Sequence, residues 1–155
     1  MTRTCDAQVV QAEAWHAARL VTRLREDDRR EIMVAGKRPA RELWHAYRES
    51  LFANSVLVEG EVAAMFGVGG SPFHRVVSPW MLTAPEFERI PKFAVKVGRE
   101  YVAFCRETYP YLLGLVDDNY TRAIKYLKVI GFNVGEPFPY GPYGVPFRHF
   151  TLERG

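Results

Sequence analysis

At 155 residues, with 48% apolar and 25% charged side chains, the chain has the balance of a globular domain, not of a disordered or fibrous one. A formal net charge of +3, with basic residues interspersed among acidic ones, argues against nucleic acid and leaves a small anionic ligand compatible. No run reaches transmembrane length, no leader pattern opens the chain, and the histidines and cysteines lack metal-ligand spacing, so one domain over 1–155 with no metal is expected.

Residues 7–11 read as a short strand. Ala14, Ala17, Ala18, Val21 and Leu24 then recur at helical spacing, with Arg19, Arg23 and Glu26 facing away. The mixed-charge run from Arg25 to Glu31 reads as a solvated helix end. Gly36 closes this segment and Pro39 suits the first turn of a second helix, whose stripe is Ala40, Leu43, Trp44, Tyr47 and Leu51. On that helix Trp44 and Tyr47 are expected in the core and His45 at the surface. A hairpin follows, Val56–Val58 and Val62–Phe66 around a Glu59-Gly60 turn. Gly67-Val68-Gly69-Gly70 superficially looks like a phosphate loop, but it leads into Ser71-Pro72-Phe73 instead of a helix, so it reads as the hairpin's flexible exit.

The next strand, Val76 to Thr83, contains Pro79, which offers no N–H to a ladder and demands a bulge or break. Pro91 opens the longest helix, near Ile90 to Thr108, with Ile90, Phe93, Ala94, Val97, Tyr101, Phe104 and Cys105 on its apolar stripe. Cys105 reads as a buried free thiol. After Pro110 the run Tyr111–Val116 reads as a buried strand, and Asp117 and Asp118 suit the start of a helix. Ala123, Ile124, Leu127 and Ile130 share one face of that helix, and Gly131 stands where a left-handed C-cap belongs. Phe132 begins another strand, a loop rich in Pro, Gly and aromatics spans 135–146, and Phe147–Leu152 forms the last strand.

This order, with Asn119, Ala123, Ile124, Gly131 and Phe132 in place, resembles the C-terminal half of the GNAT (acyl-CoA N-acyltransferase) superfamily. With Ser78-Pro79-Trp80-Met81-Leu82-Thr83 ahead of it, it is similar to a GNAT-like family of tailed phages that includes podophage internal virion proteins. The resemblance implies an α/β fold of the α+β type: a mixed, mostly antiparallel sheet of six or seven strands with about four helices. It implies that Val76–Thr83 and Tyr111–Val116 lie parallel and diverge at a bulge around Pro79, leaving a wedge for acetyl-CoA or CoA. Trp80, Leu82, Thr83 and Asn119 would then be cofactor positions, although Trp80 fits a core tryptophan equally well. It also offers a second reading of the charged run, in which Asp27, Asp28 or Glu31 faces a substrate amine.

Two departures stand against the family pattern. Residues 83–94, where a glycine loop would cradle the cofactor pyrophosphate, contain no glycine, and Glu86 and Glu88 oppose an anion there. Lys92, Lys96 and Arg99 share a helical face and could substitute, or could form an ordinary charged outer surface. The family's acid tyrosine is replaced by Leu127, which leaves Tyr120, Tyr126, His74 and His149 as candidate titrating groups. The resemblance therefore implies an acetyl-CoA-dependent N-acetyltransferase with a degenerate cofactor motif. Its alternative is a non-catalytic GNAT-fold scaffold in a phage virion or its assembly, with phage structural proteins as partners. Either would reside in the cytoplasm of a bacterial host, the second also packaged in a virion.

Overall fold

The computed structural model describes residues 6–70 and 75–154. Strand β1 (Ala7–Gln11) leads into α1 (Ala14–Val21), α2 (Glu26–Val34) and α3 (Pro39–Glu49), and these into β2 (Ser50–Val58) and β3 (Glu61–Gly69). Then come β4 (Val76–Thr83), a 3-10 turn (Pro85–Arg89), α4 (Pro91–Thr108), β5 (Tyr111–Asp117) and α5 (Thr121–Ile130). The chain ends in β6 (Asn133–Val134), β7 (Phe138–Tyr140) and β8 (Val145–Glu153). One sheet of eight strands runs in the order β1-β2-β3-β4-β5-β8-β6, with β7 also on β8, and all its pairings except β4–β5 are antiparallel. The mixed, mostly antiparallel expectation stands, with one more strand and one more helix than anticipated.

Local signals account for most of these boundaries. Glu59 and Gly60 both take positive φ, 50° and 80°, as a tight hairpin turn between twisted strands requires. Gly131 closes α5 at φ 121°, and the Leu127 carbonyl accepts from the N–H groups of both Gly131 and Phe132. Pro91 opens α4 at a position where its missing N–H costs nothing.

Three expectations need correction. First, the hairpin is longer than its apolar runs suggested. β2 starts at Ser50, so Leu51 belongs to a strand and not to the α3 stripe. Gly67-Val68-Gly69 continues β3 instead of leaving the hairpin as a flexible exit. Gly67 is there for close approach, since a Cβ at that position would lie 2.2 Å from the Phe52 carbonyl oxygen beside a break in the β2–β3 register. Second, α2 is a separate helix, not the frayed end of α1. Third, Phe104 is 49% exposed and lies outside the core, although its spacing put it on the α4 stripe.

Two cores flank the sheet. Val97, Tyr101, Cys105, Ile124 and Ile130 of α4 and α5 pack with Leu112, Val116 and Phe150, while Ala17, Leu20 and Leu43 of α1 and α3 pack with Leu57, Val62 and Met65. Trp44 and Tyr47 pack against this second core, His45 is exposed, and Cys105 is a buried free thiol. β4 and β5 are parallel, but they pair only at Val76↔Tyr111 and Val77↔Leu112. The ladder stops two residues short of Pro79. The β3–β4 register runs through Pro79 without a shift, so the split lies wholly on the β5 side. The strands then diverge around a cavity of about 560 Å³.

Leu112 is fully buried beside the last paired rung, whereas Leu127, half-buried, faces the cavity. Leu112→Ala should cost about 2–5 kcal/mol in urea denaturation, and Leu127→Ala less than about 2 kcal/mol because solvent already reaches the space it would leave. Equal losses would mean that the wedge is closed.

Candidate active site

Opening a sheet leaves backbone amides without ladder partners, and buried N–H groups must find other acceptors. At the far rim of the wedge they find α2. Asp28 and Glu31 are three residues apart and share one face of that helix. The buried Asp28 carboxylate accepts from the backbone N–H of Thr83 at 2.7 Å and from the Thr83 hydroxyl. Glu31 Oε2 accepts from the backbone N–H of Asp117 at 3.0 Å. One carboxylate thus closes the open end of β4 and the other that of β5. Asp27, the third acidic candidate, is exposed.

Arg25, at the start of α2, ties this rim together. Its Nε donates to Thr83 Oγ1 at 2.7 Å, its Nη2 to the Tyr120 hydroxyl at 2.7 Å, and its Nη1 to Glu88 at 2.9 Å. The Tyr120 ring also lies under the Arg25 guanidinium, 5.9 Å from centroid to Cζ. Burial raises the Asp28 carboxyl, opposed by its bonds from Thr83 and by the Arg25 charge. Glu31 has less help. Burial, with the Asp28 and Asp117 charges adding to it, pushes its carboxyl from 4.5 up to about 8 against the single bond from Asp117. Its second oxygen has no hydrogen-bond partner among the described residues. A carboxyl poised near neutrality with a free oxygen on a cavity can exchange a proton with a bound group.

The cavity passes through the sheet. On the α4/α5 side it is walled by Phe87, Ala123, Tyr126 and Leu127, and on the α2/α3 side by Ile32, Ala35, Leu115, Phe147 and His149. Tyr126 donates to the Ala94 carbonyl in the first turn of α4 at 2.7 Å, and burial raises its phenol above the ordinary range. Tyr120 is raised as well, by burial and then by the Asp28 charge. Both tyrosines therefore stay protonated.

The structure brings together Trp80, Leu82, Thr83, Tyr120 and Tyr126 on this cavity. Trp80 serves both readings, facing the wedge while packing on the second core, with its indole N–H on Ser50. Lys92, Lys96 and Arg99 are exposed on α4 and do not line it, and Arg99 donates to the Val129 carbonyl. Asn119 is exposed in the β5–α5 turn, bonded to Asp117. His149 lines the cavity, stacked on Phe138, and His74 lies outside the described residues. The solvated-helix-end reading of the Arg25–Glu31 run is overturned, because Asp28 and Glu31 turn inward. Their three-residue spacing was the available signal, but the run's charge density masked it.

No protein-family model matches this chain, and a search of curated proteins finds no match. Solved structures do resemble it. A GNAT superfamily phosphinothricin acetyltransferase from Sinorhizobium meliloti, in complex with AcCoA, is 15% identical, with a TM-score of 0.72 over 96% of this chain and 89% of that one. A GNAT-family acetyltransferase from Streptococcus pneumoniae is 13% identical, with a TM-score of 0.67 over 97% of this chain and 100% of the other. One from Bacillus anthracis is 7% identical, with a TM-score of 0.69 over 97% of each. The chain has the GNAT fold.

The raised Glu31 carboxyl gives a signed prediction. A group whose folded pKa is raised contributes stability that is complete below its unfolded value of 4.5 and is lost as pH climbs through about 8. Glu31→Gln keeps an oxygen for the Asp117 N–H and removes the titration. Urea midpoints at about pH 5 and pH 9 should show the variant gaining on the wild type at the higher pH. A constant gap would place Glu31 in a solvated, ordinary state.

Proposed function

We propose that this chain is an acyl-CoA N-acyltransferase whose amine acceptor meets Glu31. The observation that carries this reading is the open wedge, its rim holding a carboxyl raised to about 8 with one oxygen unengaged. The donor thioester supplies an activated acyl group. The unpaired edges of β4 beyond Val77 and of β5 beyond Leu112 offer a slot suited to an extended pantetheine arm. Trp80, Leu82 and Thr83 wall the β4 side of that slot.

The phosphate end fits less well. Glu86 and Glu88 occupy the turn before α4, bound to Arg23 and to Arg25 and Arg122 respectively, and no glycine opens the backbone. Side-chain charge from Lys92, Lys96 and Arg99, on the exposed face of α4, takes the place of that cradle. Asn119 sits at the neighbouring N-terminus of α5.

Glu31, as the carboxylate, takes one proton from the bound ammonium, and the free amine then attacks the thioester carbonyl, so that the amide bond forms and the C–S bond breaks. The adduct's remaining amine proton passes to the departing thiolate through the Tyr126 hydroxyl, which gives its own proton to sulfur, takes up the one from nitrogen and so ends protonated. Tyr120 is less suited to this second role, because the Arg25 guanidinium holds its hydroxyl, whereas that of Tyr126 is held by the neutral Ala94 carbonyl alone.

A second reading draws on the acidic turn: a non-catalytic scaffold, in a phage virion or its assembly, that keeps the fold without the cofactor. One experiment separates the two. Calorimetry with acetyl-CoA at low salt, followed by CoA-release assays over a broad amine panel, should show binding and turnover. Activity should rise with pH to a plateau with a midpoint near 8, because the deprotonated carboxylate is the working form. Glu31→Gln should lower kcat by about 10²–10⁴-fold, and Lys92→Ala with Lys96→Ala should weaken acetyl-CoA binding with little change in stability. No binding at about millimolar acetyl-CoA leaves the scaffold reading.

A further inference from the structure

The α2/α3 half of the cavity limits what amine can reach Glu31. Beyond the two carboxyls its walls carry the apolar or aromatic Ile32, Ala35, Leu115, Phe147 and Tyr140, with His149 stacked on Phe138 at 4.4 Å between ring centroids, and its rim carries the paired Lys37 and Glu42. Tyr140 and Phe147 lie 5.1 Å apart across the β7–β8 pair and continue this ring wall. Such surfaces favour a flat, apolar body over a hydrated one.

The charged groups lining the cavity are already matched. Arg25 is held by Glu88, Thr83 and Tyr120, and Arg122 by Glu88 at 2.5 Å. Lys37 lies 3.8 Å from Glu42 at the α2–α3 rim. Asp28 is occupied by the backbone N–H and hydroxyl of Thr83. Glu31 is the exception, with one oxygen open among the described residues. An acceptor carrying one ammonium finds a place for it. An acceptor carrying a carboxylate as well finds no spare cation among the described residues of the wall and would bring its charge toward Asp28 and Glu31, a costly arrangement in a cavity. A polyamine would press further ammonium groups against rings and aliphatic side chains.

We infer that the acceptor is a small primary amine on an apolar, ring-bearing body with no carboxylate and no second ammonium. This rests on the N-acyltransferase reading and names the substrate class of the same cavity. Glu31 selects the ammonium, and Ile32, Leu115, Tyr140 and Phe147 select the body.

The test compares amines that differ in one feature. Phenethylamine and phenylalanine differ only in the carboxylate, and spermidine carries added charge and no ring. With acetyl-CoA as donor, kcat/KM for phenethylamine should exceed that for either competitor by about tenfold or more. Leu115→Gln should erode this preference while leaving Glu31 in place. Turnover in which phenylalanine or spermidine equals phenethylamine overturns the acceptor class and leaves the acyltransferase standing. Absence of turnover with every amine defeats the acyltransferase reading instead, and calorimetry without acetyl-CoA then decides the class. Phenethylamine binding that Glu31→Gln weakens about tenfold, with phenylalanine unbound, upholds the cavity's selectivity; no phenethylamine binding overturns it.

Discussion

Two rungs of hydrogen bonding join β4 to β5, and everything of functional interest follows from the ladder stopping there. An interior strand that loses its neighbour exposes backbone amides inside the molecule, and those amides need acceptors. Helix α2 supplies them as side chains, Asp28 to Thr83 and Glu31 to Asp117. The wedge therefore stays open because carboxylates hold its far ends apart and satisfied. A sheet closed along the whole of β4 would have no need of either.

That solution places two acidic groups in a poorly solvated rim, and they are treated differently. Asp28 gathers two bonds from Thr83, with the Arg25 charge close by. Glu31 receives one bond from the Asp117 amide and faces the Asp28 and Asp117 charges. The pair shows how one helix face can hold a structural carboxylate and a titrating one a single turn apart.

Elements set by local chemistry were legible in the sequence. The Glu59-Gly60 turn, the Pro91 start, the Gly131 cap and the apolar Tyr111–Val116 run each forecast their element, and Pro79 marked the split before the strands were placed. What failed depended on partners distant in the chain. Gly67 resembled part of a phosphate loop because its reason, the Phe52 carbonyl pressed against it, lies fifteen residues away across the sheet. Phe104 followed the helical period yet sits over the edge of the sheet beside Phe52, half in solvent. The Arg25–Glu31 run read first as a solvated face because the orphan amides of Thr83 and Asp117 cannot be seen in sequence, and only the family resemblance offered Asp28 and Glu31 as groups facing a substrate. Leu127, in the place of an expected tyrosine, correctly directed attention to Tyr120 and Tyr126 as groups on the cavity, but it carried no hint of Glu31.

The central claim is that Glu31 sits on the open wedge with its carboxyl held far above the usual range. A carbon-detected NMR titration of the Glu31 side-chain carboxyl, assigned by comparison with Glu31→Gln, measures this directly. The account predicts a single transition near 8. A transition near the ordinary 4.5 would show a solvated carboxylate and contradict it.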